Sequence, residues 1–153
     1  MPDRRDVSTA IREARPSDAE VLAALNKEFN GVVRGAGQLR ESLATSGSRE
    51  TVLVAEDAGM VVGFACLQIH HSVCYDAPWT EITELYVTPD SRGRGVGRAL
   101  VRELDIRARA MGASELVVRT SIGNEAAKAV FRHAGLNTAS HVVFRRSYAA
   151  EAD

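Results

Sequence analysis

Cysteine is scarce in this chain. Of 153 residues only Cys66 and Cys74 are cysteines, with no CxxC pair and no histidine at finger-like spacing. That scarcity argues against a secreted disulfide framework and against a structural zinc site. Long hydrophobic runs are missing too. No apolar stretch approaches the roughly 20 residues that span a bilayer. The opening MPDRRDVSTAI carries charge without an apolar core, so no signal peptide is visible. Neither sign of charge dominates: 19 basic and 20 acidic side chains leave a formal net charge of −1. A protein that grips a long track of nucleic acid is usually more basic than this. What remains is ordinary globular composition, 45% hydrophobic and 25% charged, in a length that suits one domain with a real core. The expectation is a soluble, cytoplasmic protein with no membrane, nucleic-acid or metal partner.

The order of elements follows from periodicity. TAIRE (9–13) alternates as a short strand, and PSDAEVLAALNKEF opens with helix-start residues before Val21, Leu22 and Leu25 form one apolar stripe. NGVVRGAG (30–37) reads as a glycine-rich loop and QLRESLA (38–44) as a second short helix. TVLVAED (51–57) and VVGFACLQIHH (61–71) are strands joined by a hairpin at Ala58-Gly59-Met60, and TEITELYV (80–87) is a further strand. In RALVRELDIRARAMG, Leu100, Leu104, Ala108 and Met111 fall on one helical stripe, with Glu103 and Arg107 paired on the wet side and Gly112 as the cap. ELVVRTS (115–121) is predicted as a strand, NEAAKAVFRHAG (124–135) as a helix and SHVVFRRSY (140–148) as a last strand. Alternating hairpins and crossovers imply one mixed α/β domain over residues 9–148, with 1–8 and 149–153 disordered.

Residues 91–100, SRGRGVGRAL, stand between a strand and a helix and ask what the missing side chains make room for. Gly93, Gly95 and Gly97 give GxGxG, not the GxGxxG of a dinucleotide fold, and the next strand ends in VVRTS with no acidic residue. No GK[ST] follows, so the run is not a P-loop of that type. It still has the physics of a phosphate cradle. Amides at a helix start have no intrahelical acceptor, the helix dipole favours an anion there, and glycine lets an oxyanion approach the backbone. Arg92, Arg94 and Arg98 add positive charge on its rim.

The run R-G-x-G-x-G after the E-L-Y-V-x-P strand resembles motif A of the GNAT superfamily of acyl-CoA-dependent N-acetyltransferases. The opening strand and RPSD-led helix are similar to the family's first elements. Asn124-x-x-Ala127 followed by Phe131 and Gly135-Leu136 resembles the segment that comes after motif A. The resemblance covers nearly the whole chain. It implies a central, mostly antiparallel twisted sheet of about six to seven strands flanked by about four helices. A splay is implied between the strand ending at Val87 and the strand at 115–120. Under the same resemblance the amides of residues 92–98, Val96 among them, hold the pyrophosphate of acetyl-CoA. Tyr86, Val87 and Asn124 contact the pantetheine arm, and Asn124 also suits an N-cap.

Direct transfer to an amine needs a base, an oxyanion donor and help for the leaving thiolate, but neither a metal nor a protein nucleophile. Glu84 and Glu81 match positions where family members carry acids that meet the amine. In a regular strand they face opposite ways, a parity that a bulge would change. Glu84 is the favoured base, with an N–H near Tyr86 for the oxyanion. The usual acid is a tyrosine where this sequence has Phe131, which has no proton to give. Either the thiolate leaves unassisted or another group, Tyr86 or Tyr148, serves. His70 and His71 close a strand with at most one reaching a cleft, and Tyr75 and Trp79 could line an acceptor pocket or simply pack. The acceptor expected is a small cationic amine, with a protein N-terminus or lysine, or a non-catalytic acyl-CoA sensor, as alternatives. The resemblance also suggests a homodimer.

Overall fold

Alternation of apolar side chains sets the sheet. The computed structural model describes residues 9–45, 47 and 49–148, and the disorder expected for 1–8 and 149–153 lies outside them. Five strands, β1 (Ala10–Glu13), β2 (Glu50–Asp57), β3 (Met60–His70), β4 (Trp79–Val87) and β5 (Leu116–Val118), pair in that spatial order. The first three contacts are antiparallel and β4–β5 is parallel. Four helices cover the sheet: α1 (Ala19–Asn30), α2 (Ala36–Thr45), α3 (Val96–Ala110) and α4 (Glu125–His133).

Both faces of β2 and β3 are buried, which explains why their sequences read as nearly continuous apolar runs. On one face Leu53, Ala55, Ala65, Leu67 and Ile82 meet α3 and α4. On the other Val54, Phe64, Cys66 and Tyr86 meet Leu22 and Leu25 of α1. Leu100 and Leu104 of α3 are fully buried, and burying side chains of this size stabilises the fold by about 1.5–3 kcal/mol each. The expected α3 stripe needs one correction: Met111 is exposed, and Val96 and Val101 complete the stripe instead. The reason is that α3 ends at Ala110, leaving Met111 at the cap ahead of left-handed Gly112.

The β2–β3 hairpin closes on Ala58 and Gly59, both at positive φ, 49° and 80°, the geometry that matches strand twist. The parallel β4–β5 ladder covers only Thr80–Ile82 against Leu116–Val118. From Thr83 to Val87 the edge of β4 facing β5 has no ladder partner, and this is the splay. The strand count differs from the expected six to seven. Residues 140–148, expected as the last strand, form no ladder, and Val142, Val143 and Phe144 are exposed. A β-rich sequence is a strand only once it pairs, and the outer edge of β5 carries no ladder to these residues. Among the described residues no helix is long and apolar enough to cross a membrane.

Candidate active site

At the end of β4 the chain makes a 3₁₀ turn, Pro89–Ser91, then enters α3 through the glycine run. Gly93 and Gly95 sit at φ 72° and 81°, backbone that L side chains avoid. Gly95 is the N-cap of α3 and supplies no side-chain cap. The first helical backbone bond runs from Ala99 N–H to Gly95 C=O. Among the described residues, no acceptor takes the amides of residues 93–98. A Cβ added at Gly93 or Gly95 would meet no protein atom, so the space before these orphan amides is open. This cradle suits a phosphate group.

Gly97 has a different duty. Its α-carbon faces Val130 of α4 and Val87, which an added Cβ would approach to 3.6 and 3.8 Å. It is the packing contact between α3 and α4. The arginines also divide. Arg92 donates Nε to the Val87 carbonyl at 2.9 Å and lies over the Tyr86 ring. Arg94 pairs with Asp57 at 3.0 Å. Arg98 is exposed at the helix start, where its charge is available to an anion.

The splay opens into a cleft whose lining includes Glu84, Arg119, Thr120, Asn124, Ala127 and Phe131. The two candidate carboxylates come together on one face. Register places Cys66 opposite Glu84 but Leu67 opposite Ile82, so Thr83 is an extra residue in β4. That bulge reverses the parity expected of a regular strand. Glu81, opposite Gln68, and Glu84, opposite Cys66, therefore both face α1 and α2.

Their surroundings differ sharply. Glu81 is buried, and its Oε1 accepts bonds from Arg119 Nε at 2.8 Å and Nη2 at 2.5 Å. Its Oε2 lies 3.4 Å from His70 Nε2, and the His70 ring is stacked 4.0 Å from Trp79. Glu84 has only the neutral amide of Asn30, at 3.1 Å, as a hydrogen-bond partner among the described residues. A third carboxylate, Glu50 on β2, shares this face. Burial pushes its carboxyl up, and the charge of Glu84 adds to the effect.

Tyr86 is buried against Phe29, ring centroids 5.1 Å apart, on the α1 side. Burial pushes its phenol up, the neighbouring Glu28 adds to this, and Arg92 opposes it. Its hydroxyl is thus a poorer proton donor than a free tyrosine. Tyr148 is exposed in the unpaired segment. Phe131 is buried and forms part of the cleft wall. Asn124 caps α4, its Oδ1 accepting from Ala127 N–H at 3.1 Å. Cys66 is buried, which pushes its thiol well up and leaves it an unreactive core residue. His71 and Tyr75 are exposed.

Sequence reasoning missed Asn30, Glu50 and Arg119. Arg119 stood inside VVRTS, read as a strand end and as an argument against a dinucleotide fold. Its signal was an arginine at the end of a strand whose parallel neighbour carries a buried acid, which only pairing makes visible.

Residues 14–136 match the family model described as the acetyltransferase (GNAT) family. The chain belongs to the GNAT family. It is an acetyltransferase that uses acetyl-CoA as cosubstrate and an amine as acceptor. An aminoglycoside N(6')-acetyltransferase type 1 of Stenotrophomonas maltophilia is 31% identical over 89% of this chain and 91% of its own length. An uncharacterized N-acetyltransferase of Bacillus subtilis (strain 168) is 28% identical over 82% of this chain and 87% of its own. Among solved structures, an aminoglycoside acetyltransferase from an uncultured soil metagenomic sample, in complex with trehalose, superposes with a TM-score of 0.81. It is 16% identical and aligns over 95% of this GNAT chain and 99% of its own; at that identity it speaks to the fold alone.

Proposed function

We propose that this GNAT enzyme acetylates a primary amine on a small cationic molecule, with Glu84 as the base. One observation carries the reading: Glu84 sits at the splay with no cationic partner among the described residues, whereas Glu81 is paired with Arg119. A carboxylate left without a cationic partner at the edge of a cleft attracts an ammonium group. Glu50, set on the same face, is a second carboxyl that such an acceptor would meet. The aminoglycoside acetyltransferase relative is named for a polyamine-bearing sugar, in keeping with this acceptor class.

In this reading the amides of residues 93–98 and Arg98 hold the pyrophosphate. The unpaired edge of β4 beyond Ile82 receives the pantetheine arm as a strand would, and Asn124 meets it from α4. The same edge directs backbone N–H groups to the thioester carbonyl, where they stabilise the charge that develops on oxygen. Acetyl-CoA supplies the activated acetyl group. Glu84 takes the proton from the ammonium, directly or through a water, so that the neutral amine attacks.

The test is a thermal melt with and without excess acetyl-CoA, followed by free-thiol release over a panel of amines. At a hundredfold excess over Kd, binding adds about 2.7 kcal/mol of stability. Release with di- and polyamines, and none with neutral-bodied monoamines or peptide N-termini, is expected. Release only with peptides would overturn the small-cation acceptor.

A further inference from the structure

Phe131 leaves this enzyme without a tyrosine proton for the departing sulfur, and the structure holds a different device in the same cleft. Arg119 is the single cation among the described residues that line it, and Phe131 lines the same cleft. Two of its nitrogens, Nε and Nη2, are taken by Oε1 of Glu81. Among the described residues Nη1 makes no hydrogen bond. The guanidinium does not hang free: Glu81 is itself buried and backed by His70, which is stacked flat on Trp79. A buried carboxylate is costly unless paired, so Glu81 holds the arginine as firmly as the arginine holds it. Neither tyrosine named as a substitute acid competes. Burial and the neighbouring Glu28 push the Tyr86 phenol up, against donation, and Tyr148 is exposed on the unpaired segment.

We propose that Arg119 stabilises the CoA thiolate as it leaves, by ion pairing and not by giving a proton, with Glu81 and His70 as positioning residues behind it. A guanidinium stays protonated at any pH the protein survives, so it serves as a fixed charge. An ordinary thiol titrates near 8.5, so its thiolate needs only modest stabilisation to depart at neutral pH. The step balances without an acid. Glu84 passes the ammonium proton on to water, and the amine nitrogen then forms its bond to the acetyl carbonyl carbon and gives up its next proton to the regenerated carboxylate. The carbon–sulfur bond breaks, and its electron pair leaves on sulfur opposite Arg119. The sulfur takes a proton from water after it separates. The inference rests on the acyl-CoA reading of the cleft.

The experiment titrates the thiol of CoA bound to the enzyme, followed by the ultraviolet difference absorbance of the thiolate, after calorimetry has established saturation. For the wild type we expect the bound thiol to titrate about one pH unit below free CoA. Arg119→Lys retains part of the shift and Arg119→Gln loses it. Glu81→Gln, which frees the arginine to wander, reduces the shift while leaving CoA affinity within about twofold, since Glu81 lies in the β4–β5 ladder and the glycine run follows the other end of β4. A wild-type thiol that titrates with free CoA, or an Arg119→Gln enzyme that binds CoA and keeps the full shift, overturns the role of Arg119 alone. Failure of the wild type to bind CoA overturns the acyl-CoA reading itself, and this inference with it.

Discussion

At the scale of single residues, the cleft separates groups that look alike in sequence. Of three glycines in GxGxG, Gly93 and Gly95 provide left-handed backbone and open space, while Gly97 packs two helices. Gly95→Asp should therefore abolish acetyl-CoA binding, because it forces a side chain into strained backbone and sets a negative charge before the amides meant for phosphate. Calorimetry reads this directly, and unchanged affinity would sink the cradle. Glu81 and Glu84 divide in the same manner. Glu84→Gln removes the cleft-lining carboxylate, which has no cationic partner among the described residues, and should lower kcat roughly a hundredfold, with the KM for acetyl-CoA little changed. If Glu81→Gln produces that loss and Glu84→Gln does not, the base has been assigned to the wrong carboxylate.

Elements impose constraints that no residue carries alone. The bulge at Thr83 turns Glu84 onto the face of Glu81, and the short β4–β5 ladder leaves the outer half of β4 unpaired. The β2–β3 hairpin illustrates a conflict between element and residue. Its tight turn demands positive φ at Ala58, where a Cβ is strained. Ala58→Gly relieves the strain at some entropic cost, for a net gain of about 0.5–1 kcal/mol. Chemical denaturation should show a higher midpoint with an unchanged slope. A lower midpoint would mean that the strain is already relieved by the turn. Asn124 shows the opposite case, where element and site agree: it caps α4 with Oδ1 and stands in the cleft lining.

Across the whole molecule, ion pairs fasten the first strand to the rest. Arg12 of β1 bonds Asp18 before α1 at 2.8 and 2.9 Å, and Glu56 of β2 at 2.9 Å. Hydrogen bonding to Arg12 holds the Asp18 carboxyl below the usual carboxylate range, with burial opposing it and the backbone N–H of Arg15 assisting. A carboxyl with a depressed folded pKa contributes stability that is complete above its unfolded value, near 3.9, and lost as pH falls through the folded one. Asp18→Asn should therefore melt lower than the wild type at pH 7, with the two curves converging as the pH drops below about 4. Glu50, raised by burial, works in the opposite sense, but it is common to both proteins and cancels in the difference. A gap that persists undiminished at acid pH would assign Asp18 a packing role instead.

Much of this protein was decided locally, and that part could be read from sequence. The phosphate cradle is a matter of backbone freedom and helix ends within a few residues of one another, and helical and strand periods repeat over a turn or two. Element order and the glycine run were legible for that reason, whereas the splay was expected only from the resemblance to the family. The tertiary structure decided what depends on register between distant segments. The bulge that gathers Glu81 and Glu84 on one face is defined only against β3. The pairing of Arg119 with Glu81 bridges 38 residues of chain. Arg94, which reads as a phosphate ligand, is turned to Asp57 by the fold. Residues 140–148 have the composition of a strand and form no ladder. Local sequence sets what each segment can become, and the neighbours supplied by folding decide which charges meet and which remain free for chemistry.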